Sequence, residues 1–372
     1  MDSPQSWLRA EAERQIAGAR IVAHDGTAIF CPDGSAHYKG IWVRDFCYMV
    51  EGCPAAIPSH EIRAACRYLL AGQRDDGALP DRTEPDGTHR YVVLSAAGDQ
   101  PPTDNPQFMV KLVWEDWRAA GCLRFFDEAR PRLLAALESL PRDPETGLIW
   151  VDPAAPHSSY GFTDCIGKTG LELFSSLLLV EALAKFAEME EASGRPSDAR
   201  AARDEAGRVR RSIETFWSPA DGLYLAASEA CRQPDVWGSA YAVWIGAPPP
   251  AIEAAICRAL TENMAGIVKR GQVRHLAEPQ HWQNLLADIK PGTYQNGAYW
   301  GTASGWVAAA IAQADAPRAD AMLRDLVADY RAGGVWECVN DGYEKCREYV
   351  ASATLPLQHF ARHDRWRLPP SP

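Results

Sequence analysis

The sequence predicts an all-α fold, an (α/α)6 toroid of six helical hairpins with short β-hairpin loops. Three observations predict it. Apolar residues recur at helical spacing in twelve segments. A glycine followed by apolar residues comes after every second helix, and an aromatic, polar stretch opens the next one. Taking Arg44, Asn105, Asp164, Trp237, Trp300 and Tyr349 as markers, these stretches return at a degenerate period of about sixty residues, enough for one helical hairpin.

The helical segments run over roughly 3–17, 43–56, 59–72, 104–121, 122–139, 168–190, 196–216, 236–246, 249–263, 299–314, 316–330 and 344–361. In the seventh, Ala199, Ala202, Ala206, Val209, Ile213 and Phe216 share one face, with Arg203, Asp204, Arg208 and Arg211 on the other. The sixth carries Leu173, Phe174, Leu177, Val180 and Leu183 with far fewer charges, and the tenth is rich in Gly, Ala and Ser. Small, uncharged helices suit an inner ring where backbones approach closely, and the charged helices suit an outer one. The glycine punctuation is Asp76-Gly77-Ala78-Leu79, Thr146-Gly147-Leu148-Ile149, Asp221-Gly222-Leu223-Tyr224, Ala265-Gly266-Ile267-Val268 and Gly333-Gly334-Val335-Trp336. Each predicts a turn needing positive φ and a short strand-like return. A toroid closes only when complete, so residues 1–372 are expected to form one domain. The Pro-rich patches at 247–250 and 369–372 read as a loop and a frayed end.

Composition narrows the function. With 38 basic and 49 acidic residues the net charge is −11, without a basic cluster, which argues against nucleic acid or an anionic membrane surface. No apolar run approaches the roughly 20 residues of a membrane span. Met1 to Ala17 is polar and helix-like and lacks a signal-peptide core. Ten scattered cysteines without a Cys-x-x-Cys pair read as reduced thiols, and a cytoplasmic protein is expected. His275 and His281 have no partners at metal-ligand spacing, and neither phosphate-cradling glycine loops nor a Gly-x-Ser-x-Gly elbow occurs. Neither metal nor cofactor is expected. The oligomeric state has no readable signature.

In a ring, the loops leading into the inner helices converge on one mouth. The residues they carry are Trp42, Arg44, Asp45, Asp104, Asn105, Gln107, Tyr160, Asp164, Asp235, Trp237, Glu278, Gln295, Asn296, Tyr299, Trp300 and Glu337. Aromatic faces cover the C–H faces of a sugar, while amides, carboxylates and guanidinium groups meet its hydroxyls. The mixture points to a small carbohydrate as the ligand. Arg44 and Asp45 are expected at the floor of the terminal sugar subsite.

Several of these segments resemble the six-hairpin glycosidases, of the trehalase and processing α-glucosidase type. Trp42-Val-Arg-Asp45 looks like the Trp-x-Arg-Asp segment near their first inner helix. Tyr160-Gly-Phe-Thr-Asp164-Cys-Ile-Gly-Lys168 is similar to their Gly-Trp-Asp-Phe-Ser-Ser-Arg, which places Asp164 on the general acid and Lys168 where an Arg follows. Gly297-Ala-Tyr-Trp-Gly-Thr-Ala-Ser-Gly-Trp306 looks like Gly-Tyr-Trp-x-Gly-x-x-Trp, and Trp336-Glu337 resembles the motif of the catalytic base. Thr163 stands where the family has Trp, so the subsite of the reacting sugar is expected to differ.

The resemblance implies an inverting, exo-acting glycoside hydrolase on a short soluble oligosaccharide or glycoside, with an α-linked gluco-configured sugar first. Such hydrolysis needs one protonated carboxyl and one ionised carboxylate on opposite faces, Asp164 and Glu337, separated by roughly 6.5–9.5 Å. Glu344 is the rival base, read as a solvated residue near the start of the last helix. Two other readings stay open. A sugar epimerase or isomerase would need a proton-shuttling histidine such as His157, His275 or His281. A non-catalytic carbohydrate-binding protein would need only the aromatics and amides.

Overall fold

The computed structural model describes residues 3–92, 94–95 and 100–369; of the Pro-rich end, 370–372 lie outside that range. Its helices are α1 (Pro4–Ala19), α2 (Val43–Gly52), α3 (Ser59–Leu70), α4 (Asn105–Ala120), α5 (Arg124–Glu138), α6 (Leu173–Ala192), α7 (Pro196–Ser212), α8 (Val236–Ile245), α9 (Pro250–Glu262), the single turn α10 (Met264–Ile267), α11 (Ser304–Ala314), α12 (Ala316–Gly333) and α13 (Val350–Thr354). A 3-10 stretch, Leu355–Ala361, prolongs α13. Helices α2, α4, α6, α8 and α11 pack each on the next, α11 packs on the 3-10 stretch that prolongs α13, and α13 packs back on α2. That closes an inner ring, which α1, α3, α5, α7, α9 and α12 surround.

Burial separates the two rings as the charges did. Every residue of α8 is buried, whereas α7 buries only Ala199, Ala206 and Val209. An inner helix has neighbours on all sides, so an amphipathic stripe is no use to it. At the closure, a Cβ on Gly52 would lie 2.5 Å from the Thr354 carbonyl, so α2 and α13 meet only because that position is glycine.

The punctuation forms turns as the sequence indicates. Gly77, Gly147, Gly222 and Gly334 have positive φ, but Gly266 lies inside α10. Short antiparallel pairs follow most of them, such as Trp150–Val151 with Gly170–Leu171 and Trp217–Ser218 with Leu223–Tyr224.

Three expectations need correction. The segment expected as helix over 344–361 begins as a strand: Trp336–Asn340 pairs with Tyr343–Arg347 around Asp341-Gly342. A two-residue Asp-Gly loop between β-prone runs favours a hairpin, and that turn chemistry overrides the apparent helical period. Glu344 is therefore an exposed strand residue, not one at a helix start, and Glu337 lies on a strand rather than in a loop. The helices expected at 168 and 299 start only at Leu173 and Ser304.

Candidate active site

The loop end of the inner ring holds an open cavity of about 610 Å³, solvent mouth included. Of the residues expected there, Trp42, Arg44, Asp45, Asp164, Gln295, Trp300 and Glu337 line it. Pro32, Tyr38, Asp81, Arg82, Gly161, Phe162, Tyr294 and Tyr349 complete the wall.

Asp164 follows a 3-10 turn, Gly161–Thr163, that leads towards α6. It keeps part of its surface open to the cavity while protein atoms surround it densely. Gln295 donates from Nε2 to Asp164 Oδ1 at 2.6 Å and accepts the Cys165 backbone N–H on Oε1 at 2.9 Å. One amide thus grips the loop at two points. Burial raises the Asp164 carboxyl above the ordinary carboxylate range, although the Gln295 and Cys165 contacts pull the other way.

The Asp164 loop is anchored through Arg44, which α2 presents within its first turn. Arg44 Nη2 donates to Asp81 Oδ1 at 2.7 Å, Nε donates to Asp104 Oδ2 at 3.0 Å, and Nη2 also reaches Asn105 Oδ1 at 3.0 Å. Asp104 Oδ2 in turn accepts the Gly161 N–H at 2.8 Å. A Cβ on Gly161 would overlap the guanidinium, so glycine is required where the loop crosses Arg44. These bonds commit Nε and Nη2 to the scaffold. Among the described residues, Nη1 is the edge of Arg44 left to meet a ligand.

Glu337 is 2% exposed on the strand Trp336–Asn340. Backbone pairing of Val339 with Tyr299 ties that strand to the Gln295–Trp300 segment, which Trp300 ties in turn to Val273. Tyr38 donates its hydroxyl to Glu337 Oε1 at 3.0 Å. Lys345 Nζ lies 3.4 Å from Oε2, at an angle that leaves this oxygen without a hydrogen bond among the described residues. Burial pushes the Glu337 carboxyl up to about 7, opposed by Lys345 and Tyr38. Asp45 is likewise pushed up to about 6 by burial, against the charge of Arg44 and a 2.5 Å hydrogen bond from the Tyr349 hydroxyl. Two carboxyls on one pocket, each held near the point of gaining or losing a proton, can donate a proton to one atom and withdraw one from another.

The architecture recurs among solved structures. An uncharacterized conserved protein from Thermus thermophilus superposes with a TM-score of 0.69 at 16% identity, over 94% of this chain and 99% of its own. A GH63 mannosylglycerate hydrolase from the same organism, in complex with glucose, gives 0.67 at 16% identity over the same shares. A rhamnosidase from Klebsiella oxytoca with rhamnose bound gives 0.68 at 15% identity, over 98% of this chain and 64% of its own. This chain has the six-hairpin glycosidase fold. No family model matches the sequence, and no curated protein sequence does. What these neighbours share with it is the fold.

Within the six-hairpin fold, the remaining candidates lie behind the cavity or beside it. Gln107 donates to the Thr103 and Ser175 carbonyls at 2.6 and 3.2 Å. Asn105 supports Arg44. Tyr160 shares a hydroxyl hydrogen bond with Tyr48 at 2.9 Å and stacks on Phe174. Lys168 pairs with Glu172 at 2.5 Å, and Glu172 also caps α6. Trp237 is stacked on His275 at 3.9 Å and backs Phe162 and Trp300. Tyr299 turns away from the cavity and donates to Glu278 at 2.6 Å.

Eight wall residues escaped the sequence reading as site residues, Tyr38, Asp81, Tyr294 and Tyr349 among them. Signals for these four existed. Tyr38 and Tyr294 adjoin the aromatic stretches, Tyr349 marks the sixth repeat, and Asp81 shares the repeat phase of Glu337.

Proposed function

We propose that this protein is an inverting glycoside hydrolase, one catalytic domain over 1–372, acting from the non-reducing end on a short soluble oligosaccharide or glycoside. Asp164 is the general acid and Glu337 the general base. The observation that carries this reading is the pair itself: two carboxyls from hairpins far apart in sequence line one aromatic-walled cavity, and burial raises both. Asp164, held by a neutral amide, is suited to keep its proton for the leaving oxygen. Glu337, beside the Lys345 ammonium, is suited to ionise and take a proton from water. Asp45 and the Arg44 Nη1 edge are placed to receive hydroxyls of the terminal sugar, and Trp42, Phe162 and Trp300 to cover its faces.

A hexose suits the cavity, and the glucose and rhamnose complexes among the fold neighbours support that class. An α-linked gluco-configured sugar is the first choice for a substrate panel. The epimerase reading needs an imidazole at the reacting carbon, and no histidine lines the cavity among the described residues. His275 is buried against Trp237 instead.

The test is turnover on a panel of α- and β-glycosides, with the anomer of the freed sugar read by proton NMR before mutarotation. Release of a second product with inverted configuration supports the proposal. Retained configuration overturns the assignment of Glu337 as base. Tight binding without turnover of any panel member favours a carbohydrate-binding protein. With Glu337 near 7, kcat/KM rises through a limb close to pH 7 as the base ionises.

A further inference from the structure

We infer that Lys345 is a positioning residue for Glu337: its ammonium, brought back across the hairpin by a left-handed backbone at Cys346, keeps the Glu337 carboxylate ionised and aimed into the cavity. The inference rests on Glu337 as general base. It starts from the strand register. Cys338 pairs with Lys345 and Trp336 with Arg347, which sets Cys346 opposite Glu337. In a regular ladder opposite residues share a face and successive ones alternate, so Lys345 would point with Cys338, away from Glu337. It does not.

The pleat breaks at Cys346, with φ 44, and again at Glu348, with φ 59. L residues enter this region at a cost, and such outliers gather where function fixes the backbone. Lys345 Nζ ends 3.4 Å from Glu337 Oε2 and 3.2 Å from the ring centroid of Tyr294, itself a wall residue at φ 42. The ring face holds the cation while the carboxylate shares it. Among the described residues, the other titratable groups that act on Glu337 are Tyr38, Asp45, Cys165, Tyr294, Cys338, Tyr343, Cys346 and Tyr349, all neutral or anionic. Lys345 is thus the cation that sets the balance at the base. Without it, a carboxyl this deeply buried takes up a proton at neutral pH and cannot accept one from water.

The experiment compares wild type, Lys345→Met and Lys345→Arg by the pH profile of kcat/KM. The Glu337 carboxyl is followed in the same proteins by carbon-13 NMR, with Glu337→Gln identifying its signal. Removing a cation at this distance should move the acidic limb of Lys345→Met upward by about one pH unit or more, about a tenfold loss per unit below the limb. KM and the alkaline plateau should change little, and Lys345→Arg should restore the wild-type limb. A Glu337 signal that titrates unchanged in Lys345→Met overturns the inference. A signal that moves while the limb stays fixed upholds the Lys345 contact and overturns Glu337 as base. Lys345→Gln, read the same way, replaces the methionine variant if that one does not fold.

Discussion

Two clusters of buried charge sit in the same inner ring and are finished differently. Deep between α2, α4, α6 and α8, Lys111 Nζ lies 2.9 Å from Glu181 and 3.2 Å from Glu51, and Lys185 lies 2.9 Å from the other Glu181 oxygen. Tyr241 donates to Glu181, and Lys185 rests 4.2 Å above the Trp114 ring. Burial pushes Glu181 up, yet the two lysines overcome it and hold the carboxyl below its ordinary range. At the cavity the balance is reversed. Asp45 and Glu337 are raised despite Arg44 and Lys345, and one Glu337 oxygen is left without a hydrogen bond among the described residues. Where the protein supplies every partner, the charge belongs to the scaffold. Where it leaves a carboxylate oxygen unpartnered beside a cavity, the charge is available to chemistry.

The sharpest separation of the two clusters is by rate. Asp164→Asn should lower kcat by about 10²–10⁴, the usual range for a general acid, while its thermal transition stays near that of the wild type. A variant that unfolds early would move Asp164 into the scaffold class. Lys111→Met should do the converse. It leaves Glu181 and Glu51 short of a buried partner, at a cost of about 3–5 kcal/mol in stability by denaturant unfolding, with kcat per folded molecule unchanged. Loss of kcat without loss of stability would break the comparison.

Gly161→Ala probes the join between scaffold and site. The added methyl must displace Arg44 or the Asp164 loop. A misplacement of about 1 Å costs up to about 10²-fold in rate. Kinetics equal to wild type would show that the loop tolerates the shift.

The smallest effect is one of stability with pH. The folded-state Glu337 carboxyl rises from its ordinary value of 4.5 to about 7, so the folded protein holds an extra proton between those values. Stability from this group is therefore full below pH 4.5 and is lost as pH rises through 7. Glu337→Gln should melt a few degrees above wild type at about pH 8 and show no such gain at about pH 4. A melting difference independent of pH would mean that the carboxyl titrates alike in both states.

How much of this was legible follows from what each pattern encodes. Helical period and charge content separated inner from outer helices, since Ala/Gly-rich α11 and Arg-rich α7 differ in the surface they must bury. The aromatic stretches located the mouth because they repeat. Which side of a stretch faces the cavity is set by local backbone, and that was not legible. Tyr294 at φ 42 lines the wall while Tyr299, five residues on and with the same chemistry, is buried away from it against Glu278. Asn105 and Gln107 share the Asp104 segment and turn into the α4 packing. The Lys111–Glu181 cluster was invisible for another reason. Charges at helical spacing imply a solvated face until the neighbouring helices are known to supply partners.

The closing contact between α13 and α2 has a consequence for the order of events in folding. Tyr38 reaches Glu337 across 299 residues of chain, and Tyr349 reaches Asp45 across 304. The cavity therefore straddles the seam of the ring, where its first and last hairpins meet. Contacts of such sequence separation are the slowest to form, because the chain entropy of the whole loop is lost before they return anything. Five hairpins can stack locally while the cavity does not yet exist. During synthesis Glu337 and Asp45 come together only after Tyr349 has emerged, so the cavity is completed at the last step of closure.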